Sequence, residues 1–208
     1  MTETKPTIFI VDDDPSVRDS MELMLKSVEF NVKTFVSAQD FLTANLQEGP
    51  GCLILDVRMP GMSGLDLQEK LVSTKTPLPV IFITGHGTVP MSVRAMKAGA
   101  VDFLQKPFEE QDLLDAIYRA IKQQRERQSK TDEADKIQQR FKALTSRECE
   151  VFSLLVTGMA NKEIAYKLGT SERTVKAHRA QIMEKMNAGS LADLVRFAEK
   201  LKIHQLDH

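Results

Sequence analysis

Cys52-Leu53-Ile54-Leu55-Asp56-Val57-Arg58-Met59-Pro60 decides the fold of this 208-residue chain. A run of four apolar residues without polar alternation reads as a strand buried on both faces of a sheet. It stops on a carboxylate, and Pro60-Gly61 marks the turn that follows. An aspartate so placed stands at the carboxyl end of a core strand, the edge where open α/β sheets carry their ligands.

Working outward, strand and helix patterns alternate on both sides of this stretch. Thr7–Val11 is β-rich and halts at Asp12-Asp13-Asp14. Asp14-Pro15 suits a helix start, since Asp caps and Pro fits the first turn. Val17, Met21, Leu23, Met24, Leu25 and Val28 follow with helical spacing. Asn31–Phe35 alternates like a strand, and Ser37 can cap a helix carrying Phe41, Leu42 and Leu46. After the central strand, a helix is expected from about Gly64 with Leu65, Leu67 and Leu71. Pro79–Thr84 is a second buried strand. A helix with Val93, Met96 and Ala98 runs to Gly99, a C-terminal stop. Val101–Leu104 is a short strand, closed by Lys106-Pro107, and Leu113, Leu114, Ile117 and Ile121 mark a last helix. Five strand–helix units in about 120 residues imply a parallel sheet with helices on both faces. Right-handed crossovers then bring the loops after the strands to one edge.

That edge collects Asp12 and Asp13 from strand one, Asp56 from strand three, Thr84 from strand four and Lys106 near strand five. Clustered carboxylates repel unless a cation intervenes. Hard oxygen ligands suit Mg²⁺, which keeps several waters and often bridges to phosphate. A lysine can neutralise phosphate oxygens, and a threonine hydroxyl can hydrogen-bond one. Phosphoryl transfer needs mainly positioning and charge neutralisation, and a carboxylate can be the covalent acceptor. Each residue alone reads as a cap, turn or strand end. Their recurrence at matching strand ends argues for a site with Asp56 as acceptor.

Composition bounds the class. The chain is 42% hydrophobic and 27% charged, as in ordinary globular proteins. No apolar run approaches the ~18 residues of a membrane span. The start, MTETKPTIFIVDDD, lacks the basic and apolar segments of a signal peptide, so a cytoplasmic location is expected. Cys52 and Cys149, without a CxxC, read as two thiols, and His86, His178, His204 and His208 lack zinc-like spacing. The net charge of -1 is unevenly distributed: residues 1–123 carry 12 Lys+Arg against 17 Asp+Glu, and 124–208 carry 16 against 12. An acidic front and a basic back suggest two jobs, with nucleic acid a candidate partner of the back.

Residues 7–122 resemble a response-regulator receiver domain of two-component signalling. The resemblance rests on Val11-Asp12-Asp13, Asp56 in LDVRMPGMSG, Thr84 in FITGHG, AMKAGAVDFLQKPF and Lys106-Pro107. It implies a flavodoxin-like five-stranded parallel sheet of order 2-1-3-4-5 and a phosphoryl group donated to Asp56 by a sensor histidine kinase. By resemblance, Asp13 and Asp56 bind Mg²⁺ through their side chains and Arg58 through its backbone carbonyl, while Asp12 helps partly through water. Lys106 contacts the phosphate and is joined to Pro107 by a cis peptide. Thr84 and Phe103 form a switch pair, and Phe103 lacks the hydroxyl of the tyrosine often found there. The segment 86–107 resembles the FixJ type, which implies a phosphorylation-dependent homodimer face around Pro90–Ala98 and Val101–Leu104.

Lys122–Arg140 is almost entirely polar, without Pro, Gly or a heptad repeat, and reads as a helical spacer with a disordered middle as the rival. Beyond it, Thr145-Ser-Arg-Glu148 is a capping box opening a helix with Val151, Leu154 and Leu155. Short helices follow: Asn161–Leu168, stopped by Gly169; Glu172–Met186, with Val175, Ile182 and Met186 inward; and one capped by Ser190, with Leu191, Leu194, Val195 and Phe197. Two short helices around a glycine turn make a helix-turn-helix whose second member enters the major groove. Its outward side carries Arg173, Thr174, Lys176, His178, Arg179 and Gln181, donors suited to phosphates and base edges, although a basic face can be simply solvated.

Leu144-Thr145, Arg147-Glu148, Gly158, Asn161–Ala165, Leu168 and Ser171-x-x-Thr174-Val175-Lys176-x-His178 resemble the LuxR/NarL-type DNA-binding domain over about 141–202. That resemblance implies Lys176 and Ala177 near bases and Thr174, Arg179 and Asn161 or Lys162 on the backbone. Ala180, on the same face, offers only a methyl. Dimerisation through the last helix, 190–201, is also implied. The expected organisation is a receiver domain at 1–122, a linker at 123–140 and an all-α DNA-binding domain at 141–208. The expected function is phosphorylation-dependent binding of promoter DNA that regulates, and by family habit activates, transcription together with RNA polymerase. Two other readings stay open: a Mg²⁺-dependent phosphohydrolase working through an aspartyl-phosphate, and a phosphate-independent dimerisation scaffold. Arg58, two residues after Asp56, supplies no second acid for the first. Mg²⁺ and a small phosphodonor separate them, stable labelling marking the regulator and repeated turnover the hydrolase.

Overall fold

The computed structural model describes residues 5–44, 49–72 and 78–203. Two compact units, Met1–Arg127 and Gln128–His208, divide the chain.

The first unit is a five-stranded parallel sheet of order β2-β1-β3-β4-β5, made of β1 (Thr7–Val11), β2 (Asn31–Phe35), β3 (Gly51–Asp56), β4 (Val80–Thr84) and β5 (Asp102–Gln105). Its helices are α1 (Pro15–Ser27), α2 (Ala38–Thr43), α3 (Gly64–Val72), α4 (Val89–Lys97) and the start of α5 (Glu110–Lys142). Every residue of β3 is buried, because its alternate side chains feed two different cores. Leu53 and Leu55 join Phe9, Val11, Phe41 and Phe82 on one face. Cys52 and Ile54 join Ile8, Ile10, Ile81, Ile83, Leu113 and Ile117 on the other. At ~25 cal/mol per Å² of apolar surface, a fully buried Leu or Ile contributes roughly 1.5–3 kcal/mol over an exposed one, so this double burial fixes β3 at the sheet centre.

The helix starts follow local chemistry. Asp14 accepts the Ser16 amide at 2.8 Å and Pro15 opens α1. Ser37 caps α2 by accepting the Asp40 amide at 3.1 Å. Three details depart from the periodicity. Leu23 and Val28 are exposed, so α1 is buried along the narrower stripe of Met21 and Leu25. The last strand is displaced by one residue, since the Val101 amide pairs with the Val80 carbonyl before the ladder begins at Asp102. Leu46, expected in α2, lies outside the described residues.

The second unit is all helical. Besides the end of α5 it holds α6 (Ser146–Leu155), α7 (Asn161–Lys167), α8 (Glu172–Met186) and α9 (Leu191–Lys200). Its core contains Val151, Phe152, Ile164, Val175, Ile182, Met186 and Leu194. Ile137 and Phe141, at the end of the polar stretch, belong to that core as well, which explains why helix persists to Lys142 despite a sequence with few apolar residues. Thr145 and Glu148 form the capping box reciprocally, Glu148 Oε2 accepting from the Thr145 amide at 2.7 Å and Thr145 Oγ1 from the Glu148 amide at 3.3 Å.

Candidate functional site

The sheet register brings the polar strand ends level. Val11 pairs with Leu55, so Asp12 and Asp56, one residue beyond each, stand side by side at the carboxyl edge of β1 and β3. Thr84 ends β4, and the Lys106 amide donates to the Thr84 carbonyl at 2.8 Å, which carries Lys106 onto the same edge. Asp12 and Thr84 are 1% exposed and Asp56 6%.

Charge organises the centre of this edge. Lys106 Nζ donates to Asp12 Oδ2 at 2.7 Å and to Asp56 Oδ1 at 3.3 Å. The remaining oxygens are held by backbone: Asp12 Oδ1 accepts from the Asp14 amide at 2.9 Å, and Asp56 Oδ2 from the Arg58 amide at 2.6 Å. Burial pushes the Asp56 carboxyl above its ordinary range, Lys106 opposes the rise, Asp12 reinforces it, and the Arg58 amide opposes it. The carboxylate therefore sits in surroundings that reward any further positive charge.

Two buried carboxylates share one ammonium, an arrangement left with one uncompensated negative charge and lined by hard oxygens. That chemistry fits Mg²⁺ better than any softer ion. Asp13 is exposed, and among the described residues no three His, Cys, Asp or Glu side chains gather as a metal cluster. Lys106 thus joins Asp12 and Asp56, and the rest of a Mg²⁺ shell would fall to other oxygens of this edge and to water.

Thr84 Oγ1 accepts from the His86 amide at 3.2 Å. Phe103, in β5, is half-buried, its ring 6.2 Å from that of Phe82. The Lys106–Pro107 peptide is cis.

Two participants were not legible as site residues. Arg18, on the first turns of α1, donates to the Asp12 carbonyl at 2.7 Å and so fastens the acidic loop. Gly64 lets α3 start against the end of β3: a Cβ there would lie 2.2 Å from the Asp56 carbonyl oxygen. The proline-and-glycine turn after Asp56 signals a close approach, but only the packing shows what is approached.

In the second unit, Arg173, Thr174, Lys176, Ala177 and Ala180 are exposed on α8, Arg179 is half-buried, and Lys162 is exposed on α7. Two expected donors differ from the outward placement. His178 is only partly exposed and its Nδ1 is buried without a partner, and Asn161 Oδ1 is likewise buried and unpaired. Helical periodicity places residue 178 three positions after buried Val175 and four before buried Ile182, which turns it toward the core.

Residues 8–118 match the response regulator receiver domain, and residues 142–198 match the luxR family of bacterial regulatory proteins. Nodulation protein W of Bradyrhizobium diazoefficiens is 46% identical over 96% of this chain and 88% of its own length. The transcriptional regulatory protein FixJ of Rhizobium meliloti is 47% identical over 94% of this chain and 96% of its own. Among solved structures, the response regulator StyR superposes with a TM-score of 0.84 at 51% identity, covering 95% of this chain and 100% of that one. Full-length FixJ from B. japonicum gives 0.58 at 42% identity, with 97% and 99% covered.

Proposed function

The chain belongs to the two-component response regulators that join a receiver domain to a LuxR-type DNA-binding domain, and from that premise we propose that Asp56 is the phosphoacceptor of a phosphorylation-dependent transcription regulator. The observation that carries this reading is the Lys106 ammonium held between Asp12 and Asp56 at the carboxyl edge of β3. A sensor histidine kinase is the donor. Asp56 Oδ attacks the phosphorus of a phosphohistidine, the P–O bond forms, the P–N bond breaks, and its electron pair returns to the imidazole nitrogen. Lys106 stabilises charge on the transferred oxygens, and the backbone amide of Arg58 keeps the carboxylate oriented. Asp12, Asp13, Asp56 and the Arg58 carbonyl would hold Mg²⁺, which would supply charge neutralisation to the transfer. The chain's residues assist this one transfer and the later hydrolysis of the aspartyl phosphate, in which water takes the phosphoryl group as inorganic phosphate and the carboxylate is restored, without the turnover of an enzyme.

Phosphorylation draws the Thr84 hydroxyl toward the new oxygens, and Phe103 moves with it. The face that responds includes Val89, Val93 and Met96, which α4 leaves exposed beside β5 and which a second copy would cover. The dimer presents α8 to promoter DNA, with Lys176 and Ala177 at base edges and Arg173, Thr174, Arg179 and Lys162 on phosphates, and α9 pairs the DNA-binding domains. RNA polymerase is the downstream partner. The domain limits proposed are 1–122 and 141–208, with 123–140 as helical linker.

Sedimentation velocity of wild type and Asp56→Asn, each with Mg²⁺ and with or without beryllofluoride, tests the reading. Wild type alone should shift from monomer to dimer. Equal dimerisation of Asp56→Asn, or a wild type that never responds, sinks it.

A further inference from the structure

Gly87 stands where the two switch residues meet. A Cβ built on it would lie 3.0 Å from Phe103 Cε1, 3.5 Å from Phe103 Cζ and 3.3 Å from Thr84 Cγ2. A methyl at that point would press on the ring edge and on the threonine methyl together. The Phe103 ring also neighbours that of Phe82, 6.2 Å away between centroids and fully buried in the close-packed core, which leaves the ring little room to shift. The backbone does not require glycine here, because Gly87 is absent from the left-handed conformations adopted by Gly61, Gly99, Gly158 and Gly169. Its neighbour Gly85 is a natural comparison: it too has an ordinary backbone, and nothing lies within 4 Å of a Cβ added there. The two glycines of Thr84-Gly85-His86-Gly87 therefore differ in what surrounds them, and only the second is enclosed by switch side chains.

We propose that Gly87 is a positioning residue of the switch: its bare Cα provides the clearance in which Thr84 and Phe103 rearrange together. The inference rests on the switch reading of Thr84 and Phe103 above and adds to it the element that limits their movement. A side chain at 87 takes up the space common to both residues, so a displacement of one no longer has a matching displacement of the other. Chemistry at Asp56 lies outside this contact. The loss thus falls on the coupling between phosphorylation and dimerisation, not on the acceptance of phosphate.

The experiment compares full-length wild type, Gly87→Ala and Gly85→Ala. Asp56 labelling by acetyl phosphate with Mg²⁺ is measured first. The dimer dissociation constant is then measured by sedimentation with and without beryllofluoride, and the ratio of the two constants reports the coupling. In Gly87→Ala, labelling should stay within about twofold while the ratio collapses by about tenfold, a typical allosteric coupling. Gly85→Ala should keep the wild-type ratio. A Gly87→Ala ratio equal to that of Gly85→Ala overturns the proposal, whereas a wild-type ratio of one removes the switch reading beneath it. Phe103→Leu and the double variant Gly87→Ala/Phe103→Leu guard against a general folding defect. If the clash passes through the ring, the two substitutions are non-additive and the double variant recovers part of the ratio. Strict additivity, with thermal melts showing all variants folded, also overturns the assignment.

Discussion

Lys185, in the last turn of α8, donates to both carboxylate oxygens of Glu148 in α6, at 2.9 Å and 2.6 Å. The Glu148 carboxylate is buried and also completes the capping box by accepting from the Thr145 amide, so one side chain starts α6 and ties it to α8. The Lys185 hydrogen bonds hold the Glu148 carboxyl below its ordinary range, with the Thr145 amide acting the same way.

A depressed carboxyl stabilises the fold fully above its unfolded pKa and ceases to do so as pH falls through the folded value. Urea denaturation of the whole chain should therefore show the α6–α9 unit losing stability in acid, below the ordinary glutamate range of about 4.3. Glu148→Gln should flatten that dependence. Glu148→Ala at pH 7 should cost about 2–4 kcal/mol, since it removes a cap and leaves Lys185 without its buried partner. A variant whose acid dependence matches wild type would show that Glu148 is not the titrating group.

At the receiver edge, Lys106→Met leaves Asp12 and Asp56 buried together without their shared cation. The Asp56 carboxyl, already raised by burial, rises further, and the ionised form becomes more costly. A raised folded pKa makes the penalty largest at neutral pH, and protonation relieves it as pH falls through that value. Lys106→Met should lose about 2–3 kcal/mol at pH 7, with a smaller loss at pH 5, measured by denaturant midpoints. Phosphorylation by acetyl phosphate should be abolished or reduced at both.

DNA contact by α7 and α8 predicts a change in salt dependence that needs no operator sequence. Lys162→Ala and Arg173→Ala should each lower the slope of log affinity against log salt for non-specific duplex DNA by about 0.9, the contribution of one phosphate neutralised. Fluorescence anisotropy across a salt series reads this directly. Gln181→Ala, neutral on α8, should leave the slope unchanged.

The turn between α7 and α8 holds Gly169 at φ +61°, with nothing within 4 Å of an added Cβ. The penalty for a side chain is then conformational alone. Gly169→Ala should destabilise by about 1–2 kcal/mol, and Gly169→Asn by less, because asparagine tolerates the left-handed region. Equal thermal midpoints for both variants would place the cost elsewhere.

Much of the receiver site could be read before any coordinates. Asp56 was visible because a doubly buried strand has to be continuously apolar, so a carboxylate at its end interrupts a rule. Asp12, Thr84 and Lys106 became a group only through the assumption that parallel strands bring their ends to one edge, and the register of β1, β3, β4 and β5 places them there. Asp13 stands as an expected side-chain ligand of Mg²⁺, and what the structure adds is that it is exposed beside buried Asp12, a difference that adjacency in sequence does not carry. His178 shows the same limit on a helix, where the residue type suggests a fully outward donor and the structure leaves the ring partly exposed with its Nδ1 buried.

The sequence by itself determined the alternation of strands and helices, the helix starts at Asp14, Ser37, Thr145, Ser171 and Ser190, and the central buried strand that ends on Asp56. These depend on hydrogen bonds and apolar periodicity within a few residues of one another. Only the tertiary structure decided that Lys106 leans closer to Asp12 than to Asp56, that Arg18 braces the acidic loop, and that Gly64 and Gly87 are glycines for want of room. Those relationships join residues of different elements, Lys106 to Asp12 across 94 positions, and their distances are set by close packing between elements, which no local pattern encodes.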